Sequence, residues 1–380
     1  MIKLIKNVKV FRDGEWKDTE ILIAGTSIEK VADKIDVSYS GMEVIDGQGM
    51  KAIPGLIDQH VHVTGGGGEG SFVTQVPGLS LSAPVKAGVT TIVGVLGTDG
   101  ITRSVENLVA KTKALNEFGI TAYCLTGSYQ YPSPTLTGSV LRDITFINEI
   151  IGVKTCISDH RASYMSMEEF RRVAADARVA GLMAGKVGEV HIHMGLDPRG
   201  LSPVFEVLDN SQIPVSTFRP THCEKCMDDA IKFMNMGGYA DFTAKDHIMD
   251  ETLEKLSRIY AEAPKGHATL STDGNGSMPI WNDKNEMIGI GAGKITALFN
   301  VIRGLYQKKD IPLEEALKLA TENPAKALKL FPRKGQLADG ADADIVFLDE
   351  DLNIDTVFAM GKLMLKGGKM QVPVNFEAAE

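Results

Sequence analysis

Two histidines separated by a single residue, His60 and His62, have a spacing that suits a metal ion. In a β-strand, residues two apart point to the same face, so both imidazoles could contact one ion. His193, His222 and Asp273 each end another strand-like segment, and taken alone each is better explained as a buried, hydrogen-bonded side chain. Imidazole and carboxylate are ligands for zinc and its first-row neighbours. If these strand ends share one rim, the set predicts a metal centre.

Lys154, inside another strand-like segment, is a less obvious candidate. A protonated lysine would repel a metal, but burial beside cations favours the neutral amine. A neutral amine can take up carbon dioxide as a carbamate, whose two oxygens could bridge two metal ions as a carboxylate would. From the chemistry alone, the favoured alternative is a lysine that pairs with an acid.

The other histidines have weaker claims on a metal. His191 lies two residues before His193 and faces the same way one layer deeper, which favours a core or supporting role over ligation. His160, His247 and His267 have no partner at ligand spacing.

Two of the four cysteines, Cys223 and Cys226, follow directly on His222. A second Cys-x-x-Cys pair, which a four-ligand structural zinc site would need, does not occur in the sequence. The cysteines are too few and too scattered for a disulfide scaffold, so we expect them to be reduced.

Strand-like and helix-like segments alternate through the middle of the chain. Eight strand-like runs cover residues 55–62, 88–96, 120–129, 150–158, 187–195, 213–222, 239–244 and 267–274. Amphipathic helical stretches separate most of them, for example 104–119, 167–182 and 250–263, and two further helices are predicted after Pro312 and from Pro324. The pattern predicts an α/β fold, a (β/α)8 TIM-like barrel over residues 53–334 with its active site at the C-terminal strand ends. A doubly wound open sheet is the alternative.

Both ends of the chain contain short alternating strands separated by turn-forming residues. Neither end has enough strands to bury a face alone. We therefore predict that residues 1–52 and 335–380 together form a small β domain, a β-sandwich formed by both chain ends.

Composition excludes several classes of function. The 380 residues carry 40 Lys and Arg against 49 Asp and Glu, a net charge of −9 that argues against a nucleic-acid partner. No apolar run reaches the roughly 18 residues of a membrane helix, and the N-terminus does not look like a signal peptide. We expect a cytoplasmic protein that does not bind membranes.

The chain resembles the amidohydrolase superfamily over nearly its whole length, in the segments GLIDQHVH, GVTTIV, HMG, PTH, STDG, TENPAKALKL and GQLADGADADIVFLD. Within that superfamily it is similar to the isoaspartyl (β-aspartyl) dipeptidase family. The segments that discriminate are GGGGEG (65–70), GSYQYPSPT (127–135), IGVKTCISDHR (151–161) and STDGNGS (271–277).

The resemblance implies a binuclear centre with two Zn²⁺ per subunit, bridged by a hydroxide and by the carbamate of Lys154 (N6-carboxylysine). It assigns His60, His62 and Asp273 to one ion, and His193 and His222 to the other. The implied reaction is hydrolysis of the isopeptide bond in β-Asp dipeptides, with the hydroxide attacking the carbonyl. Asp273 would act as general base and pass the proton to the leaving amine. Tyr129 would donate a hydrogen bond to the developing oxyanion.

A β-aspartyl dipeptide carries one ammonium and two carboxylates, so its site needs an acid and at least one cation. Glu69, in the glycine-rich loop, would receive the ammonium, and Arg161 would bind a carboxylate. Thr98 and Ser277 could add neutral hydrogen bonds. A flexible, solvated loop is the alternative for residues 65–70. Lys225 departs from the family pattern, which has arginine there, and keeps the charge but loses the planar fork.

Three competing functions remain open. The same metal centre could serve a related amidohydrolase acting on cyclic amides or N-acyl amino acids. A non-catalytic scaffold is disfavoured because every expected ligand is present, and a one-metal deaminase is disfavoured because such sites lack the bridging lysine. The resemblance also suggests a homo-oligomer, with an octamer as the suggested assembly.

Overall fold

The structure is a computed structural model that describes residues 1–282, 287–375 and 377. Its N-terminal segment is a run of strands. They are β1 (Ile2–Arg12), β2 (Glu15–Ala24), β3 (Ser27–Ala32), β4 (Glu43–Asp46) and β5 (Lys51–Pro54). β1 and β2 form an antiparallel hairpin whose turn, Asp13-Gly14, has positive φ angles of 52° and 86°. Asp and Gly tolerate this left-handed conformation better than other residues, which explains why the chain reverses there.

Parallel strands follow in each of the eight segments predicted for a barrel. They are β6 (Leu56–Val61), β7 (Val89–Gly94), β8 (Thr121–Gly127), β9 (Ile150–Ile157), β10 (Glu189–Met194), β11 (Phe218–Thr221), β12 (Ala240–Thr243) and β13 (Ala268–Ser271). Nearly every residue of these strands is buried, as expected for parallel strands covered on both faces.

The parallel strands form a curled arrangement. Six of them pair in the order β11-β10-β9-β8-β7-β6, and β12 pairs with β13. The backbone N–H of His62 donates to the carbonyl of Gly274 (2.8 Å), which connects the end of β6 to the end of β13. The C-terminal ends of strands that are distant in sequence therefore lie close together.

Helices connect the strands. They are α1 (Ser82–Lys86), α2 (Val105–Phe118), α3 (Val140–Phe146), α4 (Met167–Ala184), α5 (Ser202–Asp209), α6 (Met227–Asn235) and α7 (Met249–Glu262), then α8 (Ala297–Lys309), α9 (Leu313–Lys318) and α10 (Glu322–Ala327). α4 illustrates how sequence sets the ends: Ser166 forms a capping box with Glu169, and Gly185 closes the helix at φ 66°. α10 begins two residues before Pro324, within the first turn, where proline is tolerated.

Both chain ends contribute to one nine-stranded sheet. A hairpin of β14 (Ser277–Trp281) and β15 (Met287–Ala292) lies before α8, and the C-terminal strands are β16 (Ile345–Leu348), β17 (Ile354–Ala359), β18 (Lys362–Lys366) and β19 (Lys369–Met370). The sheet has the order β19-β18-β17-β16-β5-β1-β2-β3, with β4 alongside β1. Antiparallel pairing of β5 with β16 joins the two ends. A sandwich of two facing layers and the domain boundaries 1–52 and 335–380 stay predictions.

Among the described residues, no helix combines the length and the apolar character needed to span a bilayer.

Candidate metal centre and substrate cavity

The predicted metal ligands meet at the C-terminal ends of the parallel strands. They are His60 in β6 and His62 just after it, Lys154 in β9, His193 in β10, His222 directly after β11 and Asp273 two residues after β13. His222 and Asp273 have φ angles of 62° and 52°. This left-handed conformation is uncommon for residues other than glycine, and it is concentrated at functional sites.

His60, His62 and Asp273 form the tightest cluster, in which the three potential ligand atoms all lie within 4.8 Å of one another. Asp273 Oδ1 is 3.1 Å from His62 Nε2 and 3.5 Å from His60 Nε2. Burial alone would raise the pKa of Asp273, but the contact with His62 and nearby positive charge lower it below its usual value. Burial also holds the pKa of His60 well below its usual range. A neutral imidazole and an ionised carboxylate are the forms that bind metals.

Lys154 is completely buried beside this cluster, with Nζ 3.5 Å from His60 Nε2. Burial lowers its pKa to about 7, so a large fraction of the amine is neutral near neutral pH. Within the described part of the chain, no carboxylate oxygen lies within the 4.0 Å of Nζ that an ion pair would need. These observations disfavour the alternative of a lysine paired with an acid.

An unpartnered nitrogen atom of His222 is suited to bind a metal. His222 Nδ1 lies 2.7 Å from the Thr243 hydroxyl, while His222 Nε2 is buried without a hydrogen-bond partner among the described residues. His62 Nδ1 is buried and unpartnered in the same sense. A buried polar atom without a partner is costly, and metal coordination would remove that cost at His222. The residues present therefore fit a metal group.

His193 is engaged differently. Its ring is 4.5 Å from that of His222, but its Nδ1 lies 2.5 Å from the Tyr129 hydroxyl and its Nε2 lies 3.2 Å from Asp159 Oδ2. Burial lowers the pKa of His193 to about 3, so the ring is neutral. Cys156, Asp159 and His193 form a second group whose potential ligand atoms lie within 4.8 Å of one another. For His193 to bind a metal, one of its present contacts must be exchanged.

A cavity of about 380 Å³ opens over this cluster. It is lined by the predicted substrate-binding residues Glu69, Thr98, Tyr129, Arg161, Lys225 and Ser277, together with His62, His193, His222 and Asp273. Glu69 is the point where several of them meet. Its Oε1 accepts hydrogen bonds from Thr98 (3.2 Å), Ser277 (3.1 Å) and Arg161 (3.2 Å). The cavity therefore contains a carboxylate and a guanidinium in direct contact.

Arg161 is held by an acid that the sequence analysis did not predict. Its Nε donates to Asp159 Oδ1 (2.9 Å) and its terminal NH2 donates to Asp159 Oδ2 (3.1 Å), leaving the other terminal nitrogen for Glu69. Burial would raise the pKa of Asp159, but hydrogen bonds from His193 and Arg161 lower it far below its usual range. Asp159 lies in the segment SDHR next to Arg161, but only the fold shows that it points back to Arg161 and His193.

The glycine-rich loop is held in place by its backbone. Gly65 and Gly67 both have a φ of 86°, and a Cβ there would lie 1.9 Å from the carbonyl oxygen of Val76 and 2.2 Å from that of Thr74, respectively. Gly66 donates to the Asn275 carbonyl (2.9 Å) and accepts from Val76 (2.9 Å). Only glycine allows such a close approach. These contacts favour a fixed loop over the flexible alternative.

Other cavity residues were missed because they lie on loops without a recognisable spacing or, for Met278, in the unpredicted strand β14. They are Asp99, Arg103, His160, Lys245, His247, Ile248 and Met278. His160 and His247 have no partner at ligand spacing, yet the loops bring both to the cavity wall. Lys225 also lines the cavity, and its Nζ donates to the Met194 carbonyl (2.9 Å).

Comparison with known proteins identifies a family and individual similar proteins. A model of the amidohydrolase family matches residues 52–364. A dihydroorotase of Staphylococcus epidermidis is 28% identical over 221 residues, which is 56% of this chain and 50% of that protein, so the chain spans about half the length of the curated relatives it matches.

Solved structures match over a longer part of the chain. The β-aspartyl dipeptidase of Fervidobacterium islandicum AW-1, solved in complex with β-Asp-Leu, is 40% identical with a TM-score of 0.92, over 99% of this chain and 100% of that one. A dihydropyrimidinase of Brevibacillus agri NCHU1002 is 17% identical with a TM-score of 0.68, over 98% of this chain and 96% of that one, and shares the fold. The chain is thus similar to β-aspartyl dipeptidases, and it belongs to the amidohydrolase family.

Proposed function

We propose that this chain hydrolyses the isopeptide bond of β-aspartyl dipeptides with the help of two metal ions, Zn²⁺ in the simplest case. The observation that carries the proposal is that histidines and Asp273 lie beside the Glu69–Arg161 pair in the same cavity. A β-aspartyl dipeptide has an ammonium and carboxylates next to the scissile carbonyl, so its charges complement this pair. The 40% identical relative that was solved with β-Asp-Leu supports the same substrate class.

The metal group would be held by the side chains that converge on the strand ends. His60, His62 and Asp273 would hold one ion, and His193 and His222 the other, with the carbamate of Lys154 between them. When bound, such ions lower the pKa of water and polarise a carbonyl oxygen. The neutral fraction of Lys154, which results from its burial, supplies the amine that forms the carbamate.

Asp273 and Tyr129 would handle the proton and the oxyanion. Asp273 is ionised, lines the cavity and can accept a proton from the attacking water, then release it to the leaving amine. Burial raises the pKa of Tyr129 well above its usual value, so the phenol keeps its proton. A protonated phenol can donate a hydrogen bond to the carbonyl oxygen as negative charge develops. To do so, Tyr129 must exchange its contact with His193 for the substrate.

Substrate binding would replace the internal ion pair. The substrate ammonium would take the place of the Arg161 nitrogen beside Glu69 Oε1, with Thr98 and Ser277 around it. The released Arg161 nitrogen would then meet a substrate carboxylate, while Asp159 keeps the guanidinium in position. Lys225 would provide a second positive charge for the other carboxylate.

The test compares four substrates on the metal-loaded protein: β-Asp-Leu, α-Asp-Leu, N-acetyl-β-Asp-Leu and hydantoin. We expect efficient cleavage of β-Asp-Leu only, because the α isomer moves the scissile carbonyl by one methylene, and a shift of about 1 Å can cost a hundredfold in rate. Acetylation removes the ammonium and leaves Glu69 unpaired. Glu69→Gln should lose activity on β-Asp-Leu while keeping its metal. Equal rates on the two isomers, or activity only on hydantoin or on N-acetyl-β-Asp-Leu, would overturn the proposal in favour of another amidohydrolase substrate.

We also infer that β6 to β13 form one (β/α)8 barrel. The hydrogen bond between His62 and Gly274 supports closure between the first and last strands. At the β11–β12 junction, the Thr221 hydroxyl donates to Asp241 Oδ2 (2.7 Å). The homo-oligomer and the cytoplasmic location stay predictions.

A further inference from the structure

A line of four buried polar side chains leads from the metal cluster into the barrel interior. His60 Nδ1 lies 2.9 Å from His191 Nε2, and His191 Nδ1 lies 3.1 Å from Glu189 Oε1. Arg219 then donates from Nε to Glu189 Oε2 (3.2 Å). None of the four side chains is more than 1% exposed. We call His60, His191, Glu189 and Arg219 the buried relay.

The geometry allows one direction of hydrogen bonding along the relay. His60 Nε2 faces the centre, 3.5 Å from both Lys154 Nζ and Asp273 Oδ1, so Nε2 is the atom available to a metal. His60 Nδ1 must then carry the proton and donate to His191 Nε2. His191 in turn carries its proton on Nδ1 and donates to Glu189. Each imidazole is therefore restricted to a single tautomer.

The negative charge of Glu189 is consistent with its role as the acceptor of the hydrogen bond from His191. Burial would raise the pKa of Glu189, but the charge of Arg219 and the contact with His191 lower it, so the carboxylate is ionised. Arg219 ends the relay: it also donates to the carbonyls of Ala327 (2.9 Å) and Tyr239 (3.3 Å).

Burying these charged and polar side chains in the barrel core costs free energy that apolar side chains would not cost. A buried ion pair is weak evidence for stability, because well-packed apolar residues of similar volume are often as stable or more stable. A hydrogen-bond acceptor behind a ligating histidine, in contrast, fixes the ring orientation and increases the basicity of the ligand. The direction of the relay points to this second role.

We propose that Glu189, acting through His191, is a positioning residue that fixes the tautomer of His60 and strengthens metal binding at the His60–His62–Asp273 site. This inference rests on the proposed metal centre. The effect should be confined to one ion, because His191 contacts His60 and His60 is assigned to one ion only. Loss of the relay should therefore lower the affinity for that ion and leave the affinity for the other unchanged.

The experiment measures the affinity of both ions by chelator competition in the full-length protein and in variants. His191→Phe removes the acceptor for His60, and we expect a loss of about 10- to 100-fold in affinity for one of the two ions. His191→Gln keeps an acceptor oxygen for His60 but replaces the imidazole that donates to Glu189 with a shorter amide, so its metal affinity should fall between those of wild type and His191→Phe. Cobalt substitution gives a second measurement, because the visible spectrum of the affected ion should change.

Two controls separate positioning from a structural role. His267→Phe alters a partly buried histidine whose Nδ1 contacts the Gly238 carbonyl, and it should leave both affinities unchanged. Glu189→Gln combined with Arg219→Met removes both charges of the buried pair. If the relay were only structural, this double variant would fold and bind both ions as wild type does. We expect the double variant to fold but to bind one of the two ions with lower affinity than wild type does.

The outcomes distinguish the two proposals. If the wild-type protein binds no metal, the proposed function is wrong. If the wild type binds two ions and His191→Phe and the double variant bind both with wild-type affinity, only the relay inference is wrong. Should His191→Phe fail to fold, His191→Gln and the double variant decide the question in the same way.

Discussion

Lys154 lies where a charged side chain would oppose metal binding, yet it is completely buried among the proposed ligands. Its pKa of about 7, lowered by burial, makes the neutral amine available for carbamate formation. We predict that Lys154→Ala loses both ions and nearly all hydrolytic activity. Metal content per chain, measured by elemental analysis, together with turnover of β-Asp-Leu tests this.

Chemical rescue gives a sharper version of the same test. Short carboxylates such as acetate could occupy the space that Lys154→Ala leaves and supply two bridging oxygens, so part of the metal and activity should return. Lys245→Ala is a suitable control for the response to added acetate. Lys245 lines the same cavity but pairs with Glu224 (2.9 Å) and is not a proposed metal ligand. Wild-type metal content and turnover in Lys154→Ala would show that this lysine does not bridge.

Asp273 should contribute mainly to proton transfer. We predict that Asp273→Asn lowers kcat by at least about a hundredfold, since a positioned general base contributes roughly that much. The amide oxygen can still coordinate, so much of the metal should remain. Steady-state kinetics and metal analysis on the same sample separate the two effects.

Tyr129→Phe is the companion variant. It should lower kcat and leave the metal in place. An unchanged kcat in either variant would remove that residue from the mechanism.

Residue types and spacing predicted the proposed ligands, but not their partners. His-x-His spacing and the strand-end positions sufficed for His60, His62 and His222. Asp159 and Arg219 could not be paired with His193 and Glu189 in the same way. Such pairs join different strands or turn back along a loop, so they depend on the register between strands, which sequence spacing does not contain.

At the scale of elements, the loop of residues 65–70 determines where Glu69 lies. We predict that Gly67→Ala displaces this loop, because a Cβ would lie 2.2 Å from the Thr74 carbonyl oxygen at a φ of 86°. The expected result is a large increase in KM for β-Asp-Leu with unchanged metal content. Steady-state kinetics on β-Asp-Leu and elemental analysis measure the two quantities.

Gly41→Ala is the matched control for the loop. Gly41 has a similar φ of 84°, but the space around its Cβ position is open to 4 Å. Its substitution introduces the same kind of backbone strain without a clash, so KM should not change. A wild-type KM in Gly67→Ala would mean that the loop does not position Glu69.

Elements with a simple pattern were predicted well, and elements with an irregular pattern were not. All eight parallel strands lie in apolar runs because both of their faces are covered, and α4 lies between a capping box and a glycine. The β14–β15 hairpin was missed. Pro279 and the glycines at 289 and 291 interrupt the alternation that marks a strand, and proline and glycine are unfavourable inside strands.

At the scale of the molecule, the charge of the cavity differs from that of the chain. The chain has a net charge of −9, whereas the cavity is lined by four cations, Arg103, Arg161, Lys225 and Lys245, and by three carboxylates, Glu69, Asp99 and Asp273. The proposed substrate, a β-aspartyl dipeptide, carries one ammonium and two carboxylates, and it would meet a cavity whose cations outnumber its carboxylates by one in an acidic protein. Local positive charge raises the concentration of such an anion at the mouth of the cavity, an effect that salt would reduce.

The proposed metal centre also joins distant parts of the chain. Its ligands come from β6, β9 and β10 and from the segments that follow β6, β11 and β13, so the ions would cross-link strands spread over residues 60 to 273. The nine-stranded sheet of the chain ends contributes none of the proposed ligands. Metal binding should therefore stabilise the two parts of the molecule unequally.

We predict that removing metal with a chelator lowers Tm, because a ligand that binds only the folded state stabilises it, by about 4 kcal/mol at a thousandfold excess over Kd. Calorimetry with and without chelator measures the shift, and Lys154→Ala should show no shift because it has no metal to lose. Hydrogen exchange locates the effect: amides at the C-terminal ends of β6, β9, β10, β11 and β13 should lose protection, while those of β1, β2, β16 and β17 should keep it. An identical Tm and exchange pattern with and without chelator in the wild type would contradict a metal centre at the strand ends, and a uniform loss of protection would contradict its confinement to the parallel strands.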